Sequence, residues 1–305
     1  SKRYSYFRYP EPNIFISTDF SHVVDDGIHY PRKIMDNDKG VIWFMQDWAM
    51  ELPYLYVNLL LLSDLVNKDP KSKLMSIIFS KLFNESLRDI ADMAGEAGLS
   101  FDVDRTDRGF SFYFAGYSDK LFTLIEAVTR AFLNDFGTQL EFNKIKRALA
   151  LDYKELSLAE PYPLVQYHKY DLMHKNNIHY TEYVGLLKTL ELKDIKLFHE
   201  KALKHVSVES YVYGNSNVEE VISIIERLYS ILGSNTMEVL KRPKDLIIKI
   251  PRGNSFYYYI RTKDQDAAWT SYFDFGTRNI HLSAVIQLGF GFLKGFFFDQ
   301  MRNNR

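Results

Sequence analysis

Between Gly40 and Gly233 the apolar residues switch repeatedly between a period of two and a period of 3.6, which restricts the chain to a fold that mixes strands with helices. Val41 to Met45 and Tyr54 to Leu62, separated by Pro53 and rich in strand-favouring residues, predict the first two strands. Pro70 then opens a helix whose Leu74, Ile77, Ile78, Leu82 and Ile90 make one stripe, with Lys81, Glu85, Arg88, Asp89 and Asp92 opposite. Gly95 and Gly98 end it. Leu99 to Arg105 alternates apolar and polar residues, and the aromatic-rich run Gly109 to Ala115 follows a short polar turn, which predicts an antiparallel hairpin.

The next helix has Ser118 as its N-cap and Leu121, Leu124, Ile125, Val128 and Phe132 at helical spacing up to Gly137. Thr138-Gln139-Leu140-Glu141 is a capping-box pattern opening a third helix, which Pro161 and Pro163 break. Helical patterns run through Leu164 to His174 and Leu192 to Leu203, Val206 to Tyr213 reads as a strand, and a strong helix from Val218 stops at Gly233. This order predicts an α+β fold, helices packed on a largely antiparallel sheet, over residues 31–235. Residues 1–30, with Pro10, Pro12 and Gly27, read as a connector or the end of a preceding domain. After a linker at 236–244 the strand-like runs Leu246 to Ile250, Phe256 to Arg261 and Ala268 to Phe275 lead to a helix from Asn279, so 245–305 reads as the start of a further, truncated domain.

Lys and Arg total 38 against 39 Asp and Glu, giving a net charge of -1, and no basic run exists, which argues against a nucleic-acid partner. The absence of cysteine removes disulfides, thiolate metal sites and thiol nucleophiles. Val285 to Phe298 is interrupted by Gln287, Lys294 and three glycines and falls short of the ~20 apolar residues of a membrane span, so it reads as a buried helix. No apolar stretch follows the charged N-terminus as a signal peptide requires, and with the lack of cysteine this favours a cytoplasmic setting.

A metal site without cysteine needs histidines at helical spacing, and neither His-x-x-Glu-His nor His-Glu-x-x-His occurs. His199 and His205 are the nearest approach, but six residues turn a helix by about 600° and point the rings to different faces. His199, beside Ile195 and Phe198, reads as a core histidine, and His168, His174 and His179 fail by similar spacing. Ser118 resembles half of a nucleophile elbow, with Lys120 where the second glycine belongs. Asp102 and Asp104, alternating with Phe101 and Val103, read as the wet face of a strand rather than, with Asp107, a calcium site. By these residues alone no catalytic centre is visible.

Several short patterns, in order, resemble the insulinase (pitrilysin) family. Pro10-Glu11-Pro12-Asn13-Ile14-Phe15-Ile16-Ser17-Thr18-Asp19-Phe20 is similar to the segment closing the family's N-terminal half, with Tyr9 and Ser17 as departures. Val41-Ile42-Trp43-Phe44-Met45-Gln46-Asp47, Ala97-Gly98-Leu99 and Gly116-Tyr117-Ser118-Asp119-Lys120 resemble family signatures. Phe142, Pro161 and Gly214-Asn215 fall at equivalent places in its third domain, and Phe298-Asp299-Gln300-Met301-Arg302 is similar to a segment of its fourth.

The resemblance implies the end of a second domain, a whole third and the start of a fourth from a zinc metalloendopeptidase whose two halves enclose a chamber. It puts zinc in the N-terminal catalytic half, outside this chain, and none in this part. Arg302 falls on an Arg that stabilises the tetrahedral intermediate, and the Tyr that works with it would lie beyond Arg305. Without the resemblance Arg302 is a cation in the last turn of a helix. Two functions follow: a chamber wall that binds peptide substrates, or a catalytically inactive homologue that is structural or peptide-binding.

Overall fold

The computed structural model describes the backbone at residues 12–134, 137–174, 177–233, 235–236, 247–262, 264–276 and 279–303, and the side chains there except at 157, 235–236 and 302–303. The linker residues Lys241-Arg242-Pro243 and Leu246 lie outside the described residues. The chain divides into two compact units, one of Ser1–Ala159 with Tyr170–Ile247, the other of Glu160–Lys169 with Ile248–Arg305.

The first unit is built on one sheet. Its strands are β1 (Arg32–Asp36), β2 (Gly40–Gln46), β3 (Tyr54–Leu62), β4 (Ser100–Thr106), β5 (Gly109–Tyr117) and β6 (His205–Gly214), in the spatial order β1-β2-β6-β3-β5-β4. Every neighbouring pair is antiparallel except β2 with β6, which run parallel, and a two-residue strand β7 (Asn235–Thr236) runs parallel to the start of β6. The fold is therefore α+β with a largely antiparallel sheet, as the residue periods predict.

Strand alternation decides which side is covered. Ile42 and Phe44 of β2, Leu55, Val57, Leu59 and Leu61 of β3, Phe110, Phe112 and Phe114 of β5, and Val206, Val208 and Val212 of β6 are all buried in one core. Against them pack α1 (Pro70–Ser86), α3 (Ser118–Asn134), α7 (Leu192–Ala202) and α8 (Val218–Leu232), through Leu74, Ile78, Leu124, Val128, Ile195 and Ile225 among others. Phe132 stands at the centre, with its ring edge-on to Phe79, Phe83, Phe110 and Phe112 at centroid distances of 5.1–5.3 Å. Such edge-to-face pairs suit the ring quadrupoles.

Local chemistry starts and stops the helices. Asp69 caps α1 by accepting the amide of Ser72 at 2.8 Å. Thr138 and Glu141 form the reciprocal capping box of α4 (Gln139–Glu155). Gly233 ends α8 at φ 58°, a left-handed conformation that glycine takes without steric cost. The stripe assigned to one long helix belongs to two, because the chain breaks at Leu87 and continues as α2 (Arg88–Glu96) with Ile90 on it. Pro161 ends nothing further on: it is the first residue of α5 (Pro161–Met173), following a 3-10 turn at Leu156–Leu158. The strand β1 and the helix α6 (Tyr180–Thr189) are additions to the elements read from sequence.

In the second unit no strand occurs among the described residues 248–276, contrary to the three strands expected there. An extended run becomes a strand only when a neighbour completes its hydrogen bonds, and Phe256, Tyr257 and Tyr259 instead stand at least 74% exposed. A helix does begin at Asn279, whose side chain accepts the amide of Leu282 at 2.7 Å, and α9 runs Ile280–Phe298. It was expected to be a buried helix, yet none of its residues is buried. With the π-helical turn Asp299–Asn303 that continues it, Ile280–Met301 spans 22 residues, long and apolar enough by length and composition to cross a membrane. The shorter stretch read from sequence began only at Val285.

Candidate functional site

The uncovered side of the sheet carries rings where solvated strands usually carry charges. Strand register sets its side chains in rows. One row is Lys33, Trp43, Tyr211, Asn58, Tyr113 and Asp102, from β1 through β2, β6, β3 and β5 to β4. A second, one pleat away, is Asp36, Val41, Glu209, Leu60, Ser111 and Asp104. On the other side of the first lie Met45, Tyr213, Tyr56, Ala115 and Ser100, and then Tyr54 beside Tyr117.

These rings are solvent-accessible: Trp43 is 42% and Tyr113 38% exposed. Tyr56 stacks on Tyr213 at 6.1 Å, Tyr54 leans on Tyr117 at 4.7 Å, and the ammonium of Lys33 sits 5.6 Å from the Trp43 ring centroid. Val41, Trp43, Leu60, Tyr211, Asn58 and Glu209 border a shallow depression of ≈ 470 Å³. The Tyr213 hydroxyl donates to Asp47 at 3.0 Å, and its phenol is held above the ordinary range by partial desolvation and by that acceptor. Amphipathic rings with hydroxyl groups give apolar contact and hydrogen bonding together, the combination that binding surfaces favour.

A strap formed by residues 13–30 borders this face. Asn13 donates to the Met93 carbonyl at 2.7 Å and Phe15 enters the core. One carboxylate oxygen of Asp119 accepts the amides of Thr18 and Asp19 at 2.9 and 3.2 Å, and these amides, with lesser help from Lys120, keep its carboxyl below the ordinary range. Phe20 meets the Tyr117 ring edge-on at 5.1 Å. Asn215 accepts the Val23 amide at 2.8 Å and donates to the Ser21 carbonyl and the Ser118 hydroxyl at 2.9 Å each.

The residues singled out by sequence fall elsewhere or take structural roles. Ser118 is the first helical residue of α3 rather than its cap, and its hydroxyl accepts from Asn215. His199 lies in the core, stacked on Phe79 at 4.2 Å and edge-on to Phe132 at 5.2 Å, and burial depresses its pKa to about 4. His168 is buried, His174 stacks on Tyr170, and His179 caps α6. Asp102 and Asp104 are on the open face, whereas Asp107 turns away to Arg105 at 2.6 Å and the Tyr170 hydroxyl at 3.1 Å. Lys73, 7% exposed, lies 4.0 Å from Asp107 and over the Tyr170 ring, and desolvation lowers its pKa. Arg302 is in the π-helical turn after α9, and its side chain lies outside the described residues.

Zinc requires three or four converging donors. Among the described residues no group of three His, Asp or Glu is placed to hold a metal ion, so these residues do not fit the family's zinc. The sequence reading missed the aromatic face as a site. Its signal was present in the alternation of Trp43 and Met45, Tyr54 and Tyr56, Tyr211 and Tyr213 with core residues.

Residues 1–185 match the family description "Middle or third domain of peptidase_M16". The chain is 26% identical over 305 residues to Insulin-degrading enzyme-like 1, peroxisomal, of Arabidopsis thaliana, covering 96% of this chain and 31% of that protein. It is 24% identical over 263 residues to Insulin-degrading enzyme of Homo sapiens, covering 84% of this chain and 26% of that one. The crystal structure of pitrilysin shares the fold with a TM-score of 0.69 and 18% identity, over 76% of this chain and 25% of that chain. A crystal structure of a peptidase M16 inactive domain from Pseudomonas fluorescens aligns over 68% of this chain and 53% of that one, with a TM-score of 0.52 and 11% identity. The chain thus spans at most about a third of the length of the two relatives named by sequence. By the match over residues 1–185, more than half of its length, the chain belongs to the peptidase M16 family, of which it carries the middle or third domain.

Proposed function

We propose that this chain is the non-zinc-binding C-terminal part of an insulin-degrading-enzyme-like zinc metalloendopeptidase, and that its open sheet face is a chamber wall against which peptide substrates lie. The N-terminal catalytic half of the same polypeptide is the partner that supplies zinc. One observation carries the reading: Trp43, Tyr54, Tyr56, Tyr113, Tyr117, Tyr211 and Tyr213 share the uncovered face of a sheet whose other face carries the core. Rings with hydroxyls adapt to varied sequences, which suits a wall that must hold many peptides. Arg302 extends the reading as a group that stabilises negative charge on the scissile carbonyl in the parent. The cysteine-free composition supports a cytoplasmic parent.

The test uses the full-length parent. Tyr211→Ala combined with Trp43→Ala raises KM for a short peptide about tenfold or more while kcat changes little, because uniform binding is lost. Unchanged KM would remove the face from the substrate path. The alternative, a catalytically inactive homologue that binds peptides or serves structurally, is supported by the likeness to a structure named as an inactive domain. A parent that binds peptide through these residues and fails to cleave it with zinc supplied would establish that alternative.

A further inference from the structure

We infer that the open sheet face selects cationic peptide segments, rich in lysine or arginine, an inference that deepens the reading of this face as a peptide-binding wall. Its charges are unequally matched. Glu209 is paired with Arg108 at 2.7 Å and Asp36 with Lys33 at 2.7 Å. Asp102 and Asp104, exposed on the edge strand β4 at one end of the two main rows, have no cationic partner among the described residues. Asp47, at the end of β2, accepts the Tyr213 hydroxyl and the amides of Ala49 and Met50, all neutral donors. Among the described residues the face therefore keeps an excess of negative charge, and Lys33 and Arg108 are already engaged.

The rings add a second preference of the same sign. An ammonium or guanidinium above an aromatic ring is attracted by the ring quadrupole, most strongly for Trp and Tyr. Lys33 over Trp43 shows this arrangement on the face itself. Between Trp43 and Asp102 the row crosses five strands, which at roughly 4.8 Å per neighbour is about 19 Å. An extended segment laid along it needs about six residues, with alternate side chains facing the sheet. Its aliphatic stems meet Tyr211 and Tyr113, and its cationic heads reach Asp102 or Asp104. An acidic segment gains the same apolar contact but meets like charge at the β4 end.

Fluorescence anisotropy of two short labelled peptides of equal Leu and Phe content, one lysine-rich and one glutamate-rich, tests this on the whole chain. The lysine-rich peptide should bind about tenfold more tightly at low salt, as two exposed charges allow. The gap should narrow at about 0.15 M salt, where screening acts within about 8 Å. Asp102→Asn with Asp104→Asn should remove most of the gap while the unfolding midpoint stays in place. Equal affinities, both weakened by Tyr211→Ala, would overturn the charge selection and leave the peptide wall standing. No binding, or binding unmoved by Trp43→Ala and Tyr211→Ala, would overturn both. Concentration-dependent dimers that Trp43→Ala abolishes would make a second copy the occupant and overturn both as well.

Discussion

Arg108 holds both carboxylate oxygens of Glu209 from one guanidinium nitrogen, at 2.7 Å each, across 101 residues of chain. The pair fastens the turn between β4 and β5 to the central strand β6. Its side chains remain 30% and 35% exposed, so water and salt weaken it. Arg108→Ala should cost less than about 1 kcal/mol in urea unfolding, and the loss should shrink as salt rises. A loss above about 3 kcal/mol would instead mark a desolvated pair.

His199 gives the core a pH dependence. Unfolded, it takes a proton near pH 6.5, whereas burial between Phe79 and Phe132 depresses the folded value to about 4, a backbone hydrogen bond at Phe132 offsetting only part of the effect. Below pH 6.5 the unfolded state binds more protons, so stability falls as pH drops from 6.5 towards 4 and levels off beneath. The decline should be roughly 3 kcal/mol. His199→Leu should flatten this part of the curve whatever it does to stability at pH 7; an unchanged slope would assign the decline to other groups.

Asn215, 7% exposed, ties the strap to the sheet and to α3 through three side-chain hydrogen bonds. Asn215→Ala leaves the Val23 amide and the Ser21 carbonyl without these partners, which should cost about 2 kcal/mol. Hydrogen exchange should accelerate at Val23 far more than in the core of β3. Uniform acceleration would show that the strap and sheet open only together.

How much could be read beforehand varies with how local the signal is. Thr138-Gln139-Leu140-Glu141 announced a capping box, and the structure forms it, because a cap involves neighbours in sequence. The strand β1 was not legible: Arg32-Lys33-Ile34-Met35-Asp36 is short and its register shifts between Lys33 and Met35, so no period of two survives. The helix α6 was hidden by Gly185 within a ten-residue run. The strands expected near Phe256 and Ala268 had the right composition and no sheet neighbour among the described residues. For the open face, the alternation of Trp43, Asn58 and Tyr211 with core residues was present in the sequence, although Val41 to Met45 and Tyr54 to Leu62 read there only as apolar strands. That they form one row required the order β2-β6-β3, and strand order is set by tertiary packing between segments far apart in sequence.

The exposed helix α9 should be the least protected of the long helices. A helix with no fully buried residue relies mainly on its own hydrogen bonds, and such helices are marginal in water. Amides of Ile280–Phe298 should exchange with little protection in a dilute monomer, while those of α1 and α3 should wait for global unfolding. Raising the protein concentration should slow exchange in α9, since Phe292, Phe296 and their neighbours offer apolar surface for self-association. Protection equal to that of α3 at every dilution would contradict this.

For Arg302 the two roles differ in size. A donor to an oxyanion is worth roughly a hundredfold in turnover, whereas a cation at a helix end contributes under about 1 kcal/mol of stability. Arg302→Ala in the full-length parent should lower kcat by about the larger factor with the melting temperature and zinc content held. Normal turnover would leave Arg302 a helix-end charge.

The position of β6 between β2 and β3 also has a consequence for biosynthesis. Those two strands leave the ribosome well before the strand that joins them, which begins only at His205. Until it arrives, Trp43 and Phe44 on one ribbon and Tyr56 and Val57 on another have no shared neighbour, and the loop that must close is most of the domain. Such a high contact order slows folding. The nascent chain therefore presents two aromatic ribbons with open edges for the whole time needed to synthesise the helices between them, and that interval is when holdase chaperones would matter most to this protein.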